Sequence, residues 1–137
     1  MFDDVDLFYE LVEELFRRLM ARPGVIEQAR QAGQVFRFVS RKLLAQVTVD
    51  VRDTEPRLIL GPSELPADIT VTADAETLHH VWLGEKRLRD ALFSGRVSVE
   101  GSLFKALALV DLFRQAEALY PEILRERGLL REKDEGR

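Results

Sequence analysis

His79 and His80 are the only imidazoles in the chain, and a histidine pair could hold a metal ion or act as a general base. Neighbours on a helix point about 100° apart, so the two rings do not converge on one ion. No third nitrogen, sulfur or clustered carboxylate stands at metal spacing either. The pair reads as solvated helix histidines. Gly61-Pro62-Ser63-Glu64-Leu65 begins as a nucleophile elbow does but lacks the second glycine of that turn. Gly84-Glu85-Lys86 is too short to cradle a phosphate, and no Gly-x-Gly-x-x-Gly run occurs. The chain has no cysteine, which removes disulfides, thiol catalysis and thiolate metal sites. Of the carboxylates, only Asp111 sits in an apolar stretch, and pairing with Lys105 or Arg114 accounts for it better than acid–base work. The expectation is a protein that is not an enzyme and uses no metal and no cofactor.

Two groups carry chemistry of another kind. Lys86, Arg87, Arg89 and Arg96 bring cations together. The simpler account is a solvated face balanced by Glu85 and Asp90. The functional account is a contact for anionic headgroups, a CoA phosphate or an anionic membrane. The second group is apolar: across residues 103–113 only Lys105 and Asp111 are polar. A helix apolar nearly all round must be covered on several sides. Burial under the rest of the domain, a second copy in a homodimer, or a bound apolar ligand would each cover it. Trp82 follows Leu78 by four residues, so both point the same way from a helix. An indole suits a filled core or a cavity wall equally, and Phe93, two residues before Gly95, is open to the same two readings.

The elements that position these residues are legible from periodicity. Residues 4–21 form an amphipathic helix with Phe8, Val12, Leu15, Phe16 and Leu19 on its stripe, widened by Leu7 and Leu11. Glu13/Arg17 and Glu14/Arg18 are i,i+4 pairs in the favourable order. Arg22-Pro23-Gly24 stops this helix, and a short one follows over 25–32 with Gly33 at its end. Alternation then marks strands at 35–39, 47–51, 57–60 and 69–72, the second and third joined as a hairpin. Helices are expected over 75–83, with Asp74 as N-cap, and over 87–93. A fifth strand covers 97–100, and a last long helix follows Gly101-Ser102, broken or kinked at Pro121. The order α-α-β-β-β-β-α-α-β-α implies an α+β fold, a mostly antiparallel sheet with helices over one face.

At 137 residues the chain is one domain, residues 1–130 with a charged tail over 131–137. The net charge of −4 argues against nucleic acid as the main partner, since phosphate binding needs a basic surface. The acidic start is unlike a secretory signal, and no apolar run approaches the ~18 residues of a membrane span. A cytoplasmic location is expected.

The run Ala67-Asp68-Ile69-Thr70-Val71-Thr72-Ala73-Asp74 is followed by Leu78 and Leu83-Gly84. Then comes Ala91-Leu92-Phe93-Ser94-Gly95-Arg96-Val97-Ser98-Val99-Glu100-Gly101. Together these resemble the sterol carrier protein 2 family: an Asp-apolar-Thr-apolar strand, a helix ending near Gly, an Ala-aromatic-x-Gly turn, an alternating strand closed by Gly, and an apolar helix. The resemblance spans residues 35–113 and omits the N-terminal helix pair and everything beyond Pro121. It implies a five-stranded sheet with an apolar tunnel for a sterol, fatty acid or fatty acyl-CoA, carried without catalysis. Ile69, Val71, Val97 and Val99 would then line the sheet side. Leu103, Phe104, Leu107 and Val110 would close over them, with Leu78, Trp82 and Phe93 in the remaining wall. The alternative is a protein-interaction or dimerisation module of the same fold with a filled core, or an accessory subunit presenting lipid to an enzyme.

Overall fold

Ten elements follow one another in the computed structural model, which describes residues 4–101 and 103–130; for residues 32 and 103–109 it describes the backbone alone. They are α1 (Val5–Met20), α2 (Val25–Ala32), β1 (Val35–Ser40), β2 (Ala45–Asp50), β3 (Arg57–Leu60), β4 (Ile69–Ala73), α3 (Ala75–Trp82), α4 (Leu88–Phe93), β5 (Val97–Glu100) and α5 (Leu103–Glu126). The tail from 131 and Ser102 lie outside the described residues.

α1 forms because its apolar residues fall on one side. Phe8, Leu11, Val12 and Leu15 are buried, and the Asp4 carboxylate caps the start by accepting from the Asp6 N–H at 2.9 Å. Of the two expected ion pairs Glu14/Arg18 forms, while Arg17 turns to Glu14 instead of Glu13. Glu14 takes both Arg17 and Arg18, and Arg18 also reaches Glu126 near the end of α5 at 2.6 Å. Glu14 is one carboxylate between the i+3 and i+4 arginines, so both guanidinium groups converge on it. α5 packs against α1, α2 and α3. It continues through Pro121 instead of breaking there. Proline removes one helical N–H, but Tyr120, Ile123 and Leu124 are buried on either side of it and keep the last turns docked.

The sheet order is β3-β2-β1-β4-β5, with β1 and β4 parallel and the other three pairs antiparallel. This is the α+β, mostly antiparallel arrangement the sequence implies. Because the chain passes from β3 at one edge to β4 beyond β1, the segment 61–68 must cross the sheet. It does so on the polar face, where the Arg37 guanidinium donates to the Leu65 carbonyl and to Thr48 Oγ1. The parallel pair is held at its start by Asp68. Its Oδ2 accepts from Gln34 N at 2.8 Å and Val35 N at 2.9 Å, while its own N–H donates to the Val35 carbonyl at 2.8 Å. Register places Phe36, Val49 and Leu58 in one row and Phe38, Val47 and Leu60 in the next. Ile69, Val71, Ala73, Val97 and Val99 continue the same face across β4 and β5. The helices cover that face.

One local detail differs from expectation, and another adds to it. Asp74 stands at the N-cap position of α3, but its side chain makes no cap bond. The Ala75 N–H donates instead to Ser40 Oγ at the end of β1, at 3.3 Å. In the β1–β2 turn Leu44 sits at φ 54°, a left-handed conformation that costs an L-residue ~1–2 kcal/mol.

Gly101 has φ +136°, and a Cβ there would lie 2.7 Å from the Asp68 carbonyl oxygen; Gly95 at φ +80° has open space around it. Gly95→Ala is therefore expected to lose ~1–2 kcal/mol from backbone strain alone. Gly101→Ala should lose at least ~1 kcal/mol more, because the added methyl also meets backbone. Urea unfolding of both variants checks this; equal losses would show that the contact at Asp68 is relieved by movement.

Candidate functional site

Between the inner face of β1–β3 and the helices lies an apolar cavity of about 90 Å³. α1 supplies one wall through Phe8, Val12, Leu15, Phe16, Leu19 and Met20. The sheet supplies Phe36 and Phe38 from β1, Val47 and Val49 from β2, and Leu58 from β3. Leu112, Phe113 and Ala116 of α5, Ala29 of α2 and Trp82 of α3 complete it. The spacing explains the α1 wall: residues three and four apart share a helix side, and this stripe is broader than one neighbouring helix can cover. Phe16, Met20 and Leu58 also border a surface groove that runs between the second half of α1 and β3, with Glu13, Arg17, Pro56 and Leu60. The cavity therefore opens to solvent beside the edge strand.

Among the described lining side chains the one nitrogen or oxygen atom is Trp82 Nε1. Trp82 is 6% exposed, and this N–H is buried without a hydrogen-bond partner. Its indole packs on the rings of Phe113, with centroids 6.1 Å apart, and Tyr120, at 5.5 Å. Among the described residues no carboxylate, imidazole or hydroxyl side chain lines the cavity. What such a space can do is hold hydrocarbon away from water. It is narrower than the ~300–1,000 Å³ of most ligand pockets, so a bound chain must push the walls apart, and the unbranched Met20 is the easiest to displace.

Of the residues singled out from the sequence, Trp82 lies in this wall. Leu78 and Ile69 are buried in the core behind it. Val71, Val97, Val99 and Val110 line a second hollow at the β4–β5 end of the sheet, together with Leu88, Leu92 and Phe113. Phe113 borders both spaces. Phe93 is 86% exposed and borders neither. The side chains of Leu103, Phe104 and Leu107 lie outside the described residues. Lys86, Arg87, Arg89 and Arg96 are exposed, and Lys86 and Arg96 border a polar cleft with Lys42, Asp74 and His80. Sequence reasoning missed the contributions of α1 and β1–β3. The signal was present in the wide α1 stripe and in Phe36 and Phe38, two large side chains on one side of β1.

The histidines also differ from expectation. His80 Nδ1 pairs with Glu85 Oε1 at the surface, 2.7 Å away, but His79 is buried. Its Nδ1 shares a 2.7 Å hydrogen bond with the buried Tyr120 hydroxyl. Burial, then His80, pushes the His79 pKa down, and burial pushes the Tyr120 hydroxyl well above its usual value. The helix period turns His79 inward because it lies on the side of α3 that faces α5. Among the described residues no three His, Cys, Asp or Glu side chains group as metal ligands, and no helix is long and apolar enough to cross a membrane.

Residues 13–114 match the sequence profile of the SCP-2 sterol transfer family. No curated protein matches the chain at a significant level. Among solved structures, the chain is similar to sterol carrier protein 2 like 2 from Aedes aegypti. The TM-score is 0.63 at 21% identity, over 79% of this chain and 98% of that one. It is similar to UbiJ-SCP2, a ubiquinone synthesis protein, with TM-score 0.62 at 20% identity, over 80% of this chain and 95% of that one. A solution structure of palmitated SCP2L2 from Aedes aegypti gives 0.55 at 19% identity, over 75% and 90%. At these identities the likeness is one of fold.

A neutral buried His79 makes stability depend on pH. With its folded pKa depressed, the unfolded chain takes up a proton below about pH 6.5 that the folded chain refuses. Stability is thus complete above about pH 6.5 and declines as pH falls below it. The carboxylates of Glu14, Asp50 and Glu126 are held below their usual range by hydrogen bonds from Arg17, Arg52 and Arg18, so their losses come at lower pH. His79→Gln keeps a partner for Tyr120 and should flatten the decline between about pH 6.5 and 5 in urea midpoints. An equal slope in both proteins would place the titrating group elsewhere.

Proposed function

Because the chain belongs to the SCP-2 sterol transfer family, whose members bind and transfer lipids, we propose that it carries one hydrophobic lipid in the cavity between α1, α5 and β1–β3. The observation that carries the reading is a solvent-reachable space whose described wall is apolar apart from one indole N–H. An unfilled apolar cavity of 90 Å³ costs about 2 kcal/mol at ~24 cal/mol per Å³. A hydrocarbon that enters restores those contacts and gains the transfer free energy of about 0.8 kcal/mol per buried CH₂. The described wall residues include no nucleophile or acid–base group, which supports carriage of the molecule without chemical change.

The sequence resemblance leaves sterol, fatty acid and fatty acyl-CoA open. The narrow space favours a flexible acyl chain, which threads between side chains, over a rigid ring system that must displace many at once. The palmitated mosquito structure, similar in fold, supports the same choice. The unpartnered Trp82 N–H favours a ligand with an oxygen acceptor, since leaving a buried donor unmatched costs ~1–3 kcal/mol. The likeness to a ubiquinone synthesis protein supports a second reading, in which the same cavity presents its lipid to an enzyme.

Native mass spectrometry of freshly purified protein should show a co-purifying lipid, and a fluorescent fatty acid should bind saturably, one per chain. Trp82, the sole tryptophan, should change its emission on binding. Ala116→Leu extends a side chain into the cavity and should weaken fatty-acid binding roughly tenfold, with the unfolding midpoint within ~1 kcal/mol of the parent. Saturable binding that Ala116→Leu leaves unchanged would move the ligand out of this cavity. A concentration-dependent dimer with no lipid uptake would overturn the carrier reading in favour of an interaction module.

A further inference from the structure

Leu44 and Phe93 are the most exposed large hydrophobic residues described, at 85% and 86%, and Leu92 beside Phe93 is exposed as well. They come from two separate elements that meet at one end of the molecule. Arg41 in the β1–β2 turn lies around one hollow with Leu88, Leu92 and Gly95 of α4 and its following turn. Lys42 and Leu43 of the same turn border a cleft with Lys86 and Arg96. Leu44 is also the one non-glycine residue described in a left-handed conformation, where asparagine or glycine would sit with less strain. The protein thus holds a strained leucine at a turn tip where it buries nothing.

Charge gathers at the same end. Arg41, Lys42, Lys86, Arg87, Arg89 and Arg96 are all exposed there, in a chain whose net charge is −4. The nearby acids are Asp74, which faces Lys42 at 3.8 Å, Glu85, which is held by His80, and Glu76 and Asp90. Solvated lysines and arginines alone would need no explanation. Cations on the same two adjoining segments as exposed Leu44 and Phe93 are a different pattern, since apolar side chains seat at the acyl boundary while cations meet phosphates.

We propose that this end docks on an anionic lipid bilayer, with Leu44 and Phe93 seated below the headgroups and the surrounding arginines and lysines against the phosphates. Docking in this orientation sets the hollow lined by Val71, Val97 and Val99 against the membrane, and Phe113 connects that hollow to the cavity wall. The docking surface does not depend on what the cavity holds.

Flotation with vesicles of phosphatidylcholine, alone or mixed with phosphatidylglycerol, tests it on the full chain. Wild-type protein should bind the mixed vesicles, lose binding as salt rises, and leave the neutral vesicles. Arg87→Glu with Arg89→Glu should weaken binding at least roughly tenfold. Leu44→Asn with Phe93→Ser leaves the charge unchanged and should also weaken it several-fold, while Leu44→Asn alone keeps or raises the unfolding midpoint. Fatty-acid uptake by these surface variants should match the wild type, which separates a failed membrane site from a failed carrier. No binding to mixed vesicles, equal binding to neutral ones, or full binding by the Leu44→Asn/Phe93→Ser variant would overturn the proposal. So would an acidic protein that binds this face when the vesicles do not.

Discussion

Apolar side chains that cannot close the distance between α1 and the sheet define this molecule. α1 lies over β1–β3 with six apolar residues turned inward, and the sheet answers with two phenylalanines, two valines and a leucine. In a filled core these rows would interdigitate at the density of an organic crystal. Here Leu112, Phe113 and Ala116 of α5 join them in the wall, and the rows meet around a gap. The ion pairs from Arg18 to Glu126 and from Arg127 to Glu10 tie α1 to the end of α5, so the gap is kept at one end by side chains that touch neither the cavity nor a ligand.

Around that gap the polar chemistry is arranged to stay inert. His79 and Tyr120 satisfy each other in the core, and burial favours the neutral form of both. The neighbouring indole contributes surface and a single unmatched donor. A cavity with a charged group would hold ordered water and oppose hydrocarbon. The described wall of this one is apolar and carries a single indole N–H.

The two ends of the inner face have separate characters. At β1–β3 the apolar surface is enclosed and reached from beside the edge strand; at β4–β5 it lies next to exposed cations and outward-facing Leu44 and Phe93. Phe113 stands where they meet. In the proposed reading the first end keeps cargo dry and the second meets the membrane, two tasks set apart along one sheet.

Helices and strands were legible because their periods are local: 3.6 residues for the α1 stripe, two for the valines of β2. The β2–β3 hairpin and the α+β layering followed from the same patterns, and the family resemblance from the residue runs 67–74 and 91–101. Periodicity could not choose which part of the inner face would stay unfilled. That depends on β1 pairing parallel to β4 through Asp68, thirty-odd residues beyond the amides it binds, and on where α5 crosses. The same distance effect put α5 against the side of α3 that bears His79 and left Phe93 in solvent. A side chain's direction along its own helix is set by neighbouring backbone, but a void belongs to elements far apart in the chain. Sequence alone therefore determined the pieces and their greasy sides, and only tertiary packing decided where those sides fail to touch.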